Sequence, residues 1–514
     1  MTSFKAPAED ILFSLNHVAD AARLDEWDAV IASDILNHFA PFAESVIAPL
    51  NAVGDEQGAQ LQNGRVRMPE GFGNAFAQLA AGGWQGLAAP EEYGGMGLSS
   101  VYGAGVSEIF SGANHALQMV CNLVPGAIAT LQRFGSQKQQ DTWIPGLADG
   151  SVLSTMCLTE PAAGSDLSAI RTTAKPDQDG WVLNGEKIFI SGGDQDLSDD
   201  ILHLVLARSG PADAGIVGLS LFLCRRQPAA RVTRLEGKLG LHASPTCQML
   251  FDDAKAELVG EEGAGLKAMF TLMNHARLDV ALQGVAHAAR AADITASYAA
   301  ERKQGRGADG ATAVLHDHAD VRRMIETQRM LELGSRALCH IALVELELGN
   351  RPELVEFLTP LCKVLGSEAG IQAADLGIQV LGGYGYLKEY GIEQIWRDAR
   401  ICAIYEGANG IHTRSLATRG LRSGGADGFE TLCRELAGHD ERVRPTLARW
   451  ATVKDEIAAA KDATELAHRF YRLTADLALR AVWARIDAVA DAHSDARVLK
   501  ALAAKILNTQ EVLM

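Results

Sequence analysis

The sequence has few long apolar runs. None reaches the roughly eighteen uncharged apolar residues that a membrane-spanning helix needs, so no membrane span is expected. The N-terminus, MTSFKAPAEDILFSL, has no basic segment followed by an apolar core, so no secretory signal is evident. No pair among the eight cysteines (121, 157, 224, 247, 339, 362, 402, 433) has CxxC spacing. Neither a zinc site nor a disulfide framework is signalled, and reduced thiols in the cytoplasm are the plain reading. Positive charge is in deficit: 47 Lys and Arg face 64 Asp and Glu, a net charge of −17. That balance opposes non-specific binding to nucleic acid or anionic membrane, and no nucleic-acid partner is expected. Aromatics are 6% of the chain, and alanine and leucine dominate, which leans helical.

What is present is ordinary globular composition, 47% hydrophobic and 22% charged over 514 residues, enough for two to four domains. Residues 8–50 and 70–150 carry apolar residues at helical spacing. VGDEQGAQLQNGRVRMPEGF, between them, is polar and Gly-rich and reads as a loop. Near residue 152 the pattern changes. WVLNGEKIFI places two short apolar runs around Asn184-Gly185, which predicts a hairpin. ILHLVLARS, LSLFLCR and CQMLFDD follow as strands. From about residue 262 a very long helix runs to ERK, more helices fill 315–380, and an Ala/Leu/Arg-rich helical tail follows SGGADG. There is no tandem repeat.

Five stretches invite a chemical reading, and each has a plain alternative. MCLTEPAAGSD (156–166) leaves a strand for a turn. Its small residues let backbone approach a flat ligand, but they also make a common polar turn. EKIFISGG (186–193) puts Phe189 and Ser191 on one strand face, suited to a planar heterocycle or to core plus edge. LGGYGYLKEYG (381–391) looks like a phosphate cradle but lacks GxGxxG spacing and a preceding strand. AERKQGR (300–306) is a basic cluster at a helix C-terminus, either a phosphate site or favourable helix-dipole pairing. His316 and His318 are two apart, wrong for a metal on a helix face; no metal site is expected.

The order of these stretches carries more than any one of them. With GIQVLGGYGYLKEYGIEQIWRDARICAIYEGANGIH near the end, the chain over residues 70–420 resembles the acyl-CoA dehydrogenase family. The APAEDILFSL start and RLEGKLGLHASPTCQM resemble a longer subgroup, which includes methylmercaptopropionyl-CoA and some fatty acyl-CoA dehydrogenases. The resemblance implies an α+β fold: a helical N-domain (1–155), a β-domain of barrel or sandwich type (156–262), a helical bundle (263–425) and a helical extension (426–514). It implies FAD, held by Met156, Leu158 and Thr159 against the ring, with Phe189 packing on it and Ser191 near N5. Ser165 would contact an FAD phosphate or the CoA arm. Arg302, Gln304, Gln379 and Gly383 would reach the FAD of a neighbouring subunit, hence a homodimer. Asn274 and Arg277 would line the CoA channel. Ala408 and Gly410 stand where relatives carry Thr and Gln, and each forgoes an FAD contact.

Glu406 aligns with the family's base, and Gly407 follows it in the substrate site; the alternative base position is Ala276, which cannot take a proton. Removing hydrogen across Cα–Cβ of a thioester needs a base on the α-proton while a hydride leaves Cβ for flavin. The implied product is the trans-2-enoyl-CoA, with electrons passing to an electron-transfer flavoprotein. An oxidase using O2 is the nearest alternative, and a non-dehydrogenating flavoprotein that binds nucleic acid is a further one.

Overall fold

A computed structural model describes residues 3–178, 180–307 and 310–509, except the side chains of Ala212, Asn274 and His275. The helices in chain order are α1 Ala8–Phe13, α2 Ala29–Phe42, α3 Leu50–Gln57, α4 Phe72–Ala81, α5 Ser100–Cys121, α6 Val124–Phe134, α7 Gln137–Asp149 and α8 Gly265–Glu301. They continue with α9 Ala319–Leu348, α10 Pro352–Leu381, α11 Ile392–Ala399, α12 Asn409–Ser415, α13 Gly425–Ala437, α14 Arg444–Ala458, α15 Ala467–Val489 and α16 Ala496–Asn508. They fall into two compact units, one of residues 46–98 and 114–276, the other of residues 1–45, 99–113 and 277–514. Among the described residues no helix is long and apolar enough to cross a membrane.

The first unit holds the sheet. Its strands are β1 Gln60–Gln62, β2 Arg65–Arg67, β3 Val152–Cys157, β4 Thr173–Asp177, β5 Gly180–Ser191, β6 Asp200–Arg208, β7 Leu219–Arg225, β8 Ala230–Leu235 and β9 Thr246–Val259. The order β3-β6-β4-β5-β9-β7 closes on itself because β6 also pairs with β7, and β8 adds to β9. Closure removes the free edges that an open sheet exposes. Only β3 and β4 run parallel to β6; the other pairings are antiparallel. β6 is buried along its whole length. Cys157, Leu183, Ile190, Val205, Phe222, Met249 and Phe251 fill the interior.

Two readings of this region are corrected. Asn184-Gly185 is not a hairpin turn. It lies inside β5, at a register shift between Leu183 and Gly185. Gly185 has φ +148°, and a Cβ there would lie 2.6 Å from Thr172 Oγ1, so only glycine fits this bulge. The turn that does join two strands there links Asp177 to Gly180, across β4 and β5. Conversely, the polar stretch 53–72 is more than a loop. α3 reaches Gln57, and β1 and β2 form a hairpin turning at Asn63 (φ +51°) and Gly64 (φ +76°). Both turn residues have positive φ, which the Asn-Gly pair tolerates.

The second unit is helical. α8, α9 and α10 pack at close range, with backbone meeting backbone where α8 crosses α10. A Cβ on Gly284 would lie 2.2 Å from the Gly366 carbonyl oxygen, and one on Gly370 would lie 2.5 Å from the Gly284 oxygen. A small hairpin, β10 Lys303–Arg306 with β11 Thr312–Val314, follows α8. The basic AERKQGR stretch does lie at the C-terminus of α8, which stops at Glu301, and its KQGR part continues as a strand. His318 Nε2 sits 2.8 Å from the Gln304 carbonyl, a structural contact.

The tail after residue 425 forms four more helices in the same unit. A buried charge network ties it to the N-terminus. Arg336 donates to Glu108 (2.8 Å) and Glu332 (2.9 Å); Arg329 donates to Glu332 (2.7 Å) and Asp10 (3.2 Å). His493 Nε2 lies 3.1 Å from Asp10, closing the chain from α9 through α1 to the tail. The paired carboxylate raises the pKa of His493, so it holds its proton better than a free histidine.

The glycine contacts give a stability test. Gly284→Ala should cost about 1–3 kcal/mol, because neither facing backbone can give way. Gly73→Ala on α4, where a Cβ meets open space, should be neutral or stabilising by up to ~1 kcal/mol. Urea unfolding midpoints of the two variants check this; equal values would refute it.

Candidate active site

The segment around Glu406 lies between a 3₁₀ turn at Arg400–Ala403 and α12. Glu406 has φ +52°, in the left-handed region that costs a non-glycine residue about 1–2 kcal/mol. Such a backbone persists only where its surroundings hold it. Tyr405 donates its hydroxyl to Gln283 on α8, and Gln283 donates to Asp279 at 2.8 Å. His412 Nε2 lies 3.0 Å from the Glu406 carbonyl oxygen. Lys363, fully buried on α10, donates to the Gly407 carbonyl at 2.7 Å and to Asn409 Oδ1 at 3.0 Å. Gly407 has φ +97°, and a Cβ there would lie 2.8 Å from His412 Nε2, so the turn and the histidine fit only around glycine.

The electrostatics follow from burial. Desolvation pushes the Glu406 carboxyl up to about 7, against the pull of Arg277 and Lys363. Burial lowers Lys363 to about 8 and lowers Arg277 from its usual value. Burial lowers His412 to about 4, with Lys363 and Arg277 adding to the effect. His412 is therefore neutral near pH 7, and a proton on Nε2 gives the Glu406 carbonyl its donor. Among the described residues the Glu406 carboxylate makes no hydrogen bond or ion pair, and its N–H meets no protein acceptor. A half-buried carboxyl near neutrality, with cations near but not on it, can take a proton from a ligand.

The sheet unit holds a different set. Met156 lies one residue before the end of β3, Leu158 is buried, Thr159 is half-buried and Ser165 is exposed in the following turn. The turn is fixed from below. Lys187, fully buried on β5, donates to the Leu158 carbonyl (3.0 Å) and to Glu160 (2.8 Å). The Glu160 carboxylate also accepts from the Arg171 (2.7 Å) and Thr172 (3.0 Å) amides. Ile188 N–H meets the Thr159 carbonyl at 2.9 Å. Phe189 sits at the second register shift of β5 with φ +59° and is 60% exposed. An aromatic ring held outward by a strained backbone fits a flat, apolar ligand face. Ser191 follows, half-buried, on the other side of buried Ile190.

In the helical unit, Arg302, Gln304 and Gly383 line one open cleft of about 530 Å³, with Tyr298, Gly382 and Tyr384. The Arg302 guanidinium lies 5.7 Å from the Tyr384 ring centroid. No carboxylate pairs with Arg302 among the described residues, which suits a bound anion. Gln379 is exposed, next to Val380 of that lining. Ala408 and Gly410 are exposed at the start of α12, and Ala408 offers no capping side chain. Asn274 has its side chain outside the described residues. The exposed aromatic suits a flat ring system, and, in the other unit, the Arg302 guanidinium suits a phosphate.

Sequence reading missed Lys363, Asn409, Tyr405 and Lys187. The signal for Lys187 was available: a lysine inside an apolar strand, with Glu160 in the turn next to it in space. Lys363 gave less, since a lysine on a long helix is usually solvated.

Known proteins were then compared with the chain. Residues 33–151, 155–254 and 263–421 match the N-terminal, middle and C-terminal domain models of acyl-CoA dehydrogenases. The 3-methylmercaptopropionyl-CoA dehydrogenase of Ruegeria pomeroyi is 41% identical over 82% of this chain and 77% of its own length. The structure of Caenorhabditis elegans ACDH-11 in complex with C11-CoA covers 100% of this chain and 92% of that one. Its TM-score is 0.84 at 19% identity, a likeness of fold that extends through the tail. A structure of the electron transferring flavoprotein of Acidaminococcus fermentans covers 77% of this chain and 99% of that one, with TM-score 0.69 and 27% identity.

The buried Lys187 gives the prediction here. Lys187→Met leaves the Glu160 carboxylate without its cation and should destabilise by about 3–5 kcal/mol. Denaturant unfolding measures it, and a loss below ~1 kcal/mol would mean the pair is not what fixes the turn.

Proposed function

Because the chain belongs to the acyl-CoA dehydrogenase family, whose members are FAD-dependent oxidoreductases, we propose that Glu406 is the base in α,β-dehydrogenation of an acyl-CoA thioester. The chain has the acyl-CoA dehydrogenase fold and acts on CH–CH bonds of acyl-CoA, with FAD as cofactor. Bound FAD supplies the hydride acceptor, at N5, for the β-carbon. Every other part of the step falls to the chain. Glu406 takes the α-proton, and the product is the trans-2-enoyl-CoA. The enolate-like charge on the thioester carbonyl needs a donor, and the Glu406 N–H, which meets no protein acceptor among the described residues, is one. Arg277 and Lys363 bias the surroundings toward negative charge without locking the carboxylate into a pair.

The observation that carries this reading is the Glu406 carboxyl itself, raised to about 7 by burial and held in left-handed backbone. Met156, Leu158, Thr159, Phe189 and Ser191 hold the flavin ring, and Ser165 contacts its phosphate or the CoA arm. Arg302, Gln304, Gln379 and Gly383 serve the FAD of a neighbouring subunit, so the enzyme is a homodimer. The open cleft and the unpaired guanidinium support that assignment. The Ruegeria relative supports a short thioether acyl chain, and the Acidaminococcus structure supports an electron-transfer flavoprotein as acceptor. Eight free, buried cysteines suit the reducing cytoplasm.

Glu406→Gln should stay yellow and lose at least ~100-fold in the rate of anaerobic flavin bleaching by acyl-CoA. Bleaching at the wild-type rate would remove Glu406 from the reaction. The base works only deprotonated, so kcat/KM should rise with pH through an apparent pKa near 7. Lys363→Met, which removes a nearby cation, should move that limb to higher pH. Graded acyl-CoAs, 3-methylmercaptopropionyl-CoA among them, would identify the acyl group. Peroxide formed in air would point instead to an oxidase.

A further inference from the structure

The tail beyond residue 425 forms part of the helical unit, and one of its side chains reaches the loop of Glu406 through a short chain of hydrogen bonds. Tyr471, on α15, is fully buried and donates its hydroxyl to Glu368 Oε2 at 2.7 Å. Glu368 Oε1 accepts from Asn409 Nδ2 at 3.5 Å, the longest link. Asn409 Oδ1 accepts from Lys363 at 3.0 Å, and Lys363 also holds the Gly407 carbonyl at 2.7 Å. Ser367 lies 3.1 Å from Asn409 Nδ2 and 3.3 Å from its Oδ1.

Asn409 opens α12. Ala408, the residue before it, has no side chain able to cap that helix. The first turn of α12 is therefore located by the Asn409 amide, and so is the strained backbone at Glu406 and Gly407 just before it. α15 also packs against α12 and against the turn that follows it. We infer that Tyr471 is a positioning residue for the catalytic loop, acting through Glu368, Asn409 and Lys363. This rests on Glu406 being the base.

The physical consequence can be worked out. Without the Tyr471 hydroxyl the Glu368 carboxylate is no longer held, and without that carboxylate Asn409 Nδ2 keeps Ser367 alone; in both cases Asn409 can turn its Oδ1 from Lys363. Either loss lets Lys363 move away from Gly407 and weakens its pull on Glu406. The groups around Glu406 are Arg277 from α8, Lys363 from α10 and His412 from α12; Arg472 stands beside Tyr471.

The test uses the FAD-loaded full chain, anaerobic stopped-flow and the fastest-reducing acyl-CoA of the graded panel. Tyr471→Phe should move the acid limb of flavin reduction up by about 0.5–1 pH unit, a fall of roughly threefold to tenfold well below the pKa. The acyl-CoA concentration for half-maximal rate should not change. Glu368→Gln should shift the limb the same way, and the double variant should add little to either. Trp483→Phe, which removes another α15 hydrogen bond (3.1 Å to the Met330 carbonyl), should lower Tm without moving the limb. If Tyr471→Phe does not fold, Glu368→Gln carries the same test. A lower Tm with a wild-type limb in both variants would make Tyr471 a core residue only and overturn the inference. If Glu406→Gln still bleaches its flavin, the reading beneath fails instead.

Discussion

A carboxyl that must accept a proton from carbon cannot be fully solvated, and it cannot be locked into an ion pair either. Water would leave it too weak a base, and a close guanidinium would lower its pKa further. Glu406 meets both conditions. It is half-buried, and the cations that moderate its burial, Arg277 and Lys363, act on it without an ion pair. Lys363 instead spends its donors on the Gly407 carbonyl and Asn409. Those bonds give a fully buried ammonium partners, so it need not pair with the carboxyl beside it.

That arrangement requires an unusual backbone. Phe189 and Glu406 are two of the few non-glycine residues with positive φ. In each case the strain is matched by fixed contacts nearby: the Lys187–Glu160 pair beneath the turn before Phe189's strand, and the His412, Lys363 and Tyr405 contacts around Glu406. Strain held this way is a common mark of functional positions, because folding alone would not select it. Gly407 shows the same economy, since its missing Cβ is the space that His412 occupies.

The helical tail enters through the same logic. It is bound to the rest of its unit by the buried network from Glu108 to His493, by Trp483 on α9 and by Tyr471 on Glu368. The first two contacts are far along the chain from the loop of Glu406. The third ends on residues that hold it. A helix added to an enzyme can stabilise it at any surface, but only a bonded path to the reacting loop can influence its chemistry.

Local sequence determined the helical and strand segments, because apolar periodicity is a property of neighbours along the chain. It also marked Glu406, through the ordered blocks around it. It could not decide what Asn-Gly does: at 63–64 the pair turns a hairpin, while at 184–185 it bulges inside a strand. The difference is Thr172, which crowds Gly185 from just before the neighbouring strand β4 and is invisible to the pattern around Asn184-Gly185 itself. The basic KQGR, just past the end of α8, likewise gave no strand pattern until its partner, Thr312–Val314, was in place. Lys363, Lys187 and Tyr471 looked like ordinary surface or core residues. Only tertiary structure buried them against particular carbonyls and carboxylates, because burial and partner choice depend on residues tens to hundreds of positions away.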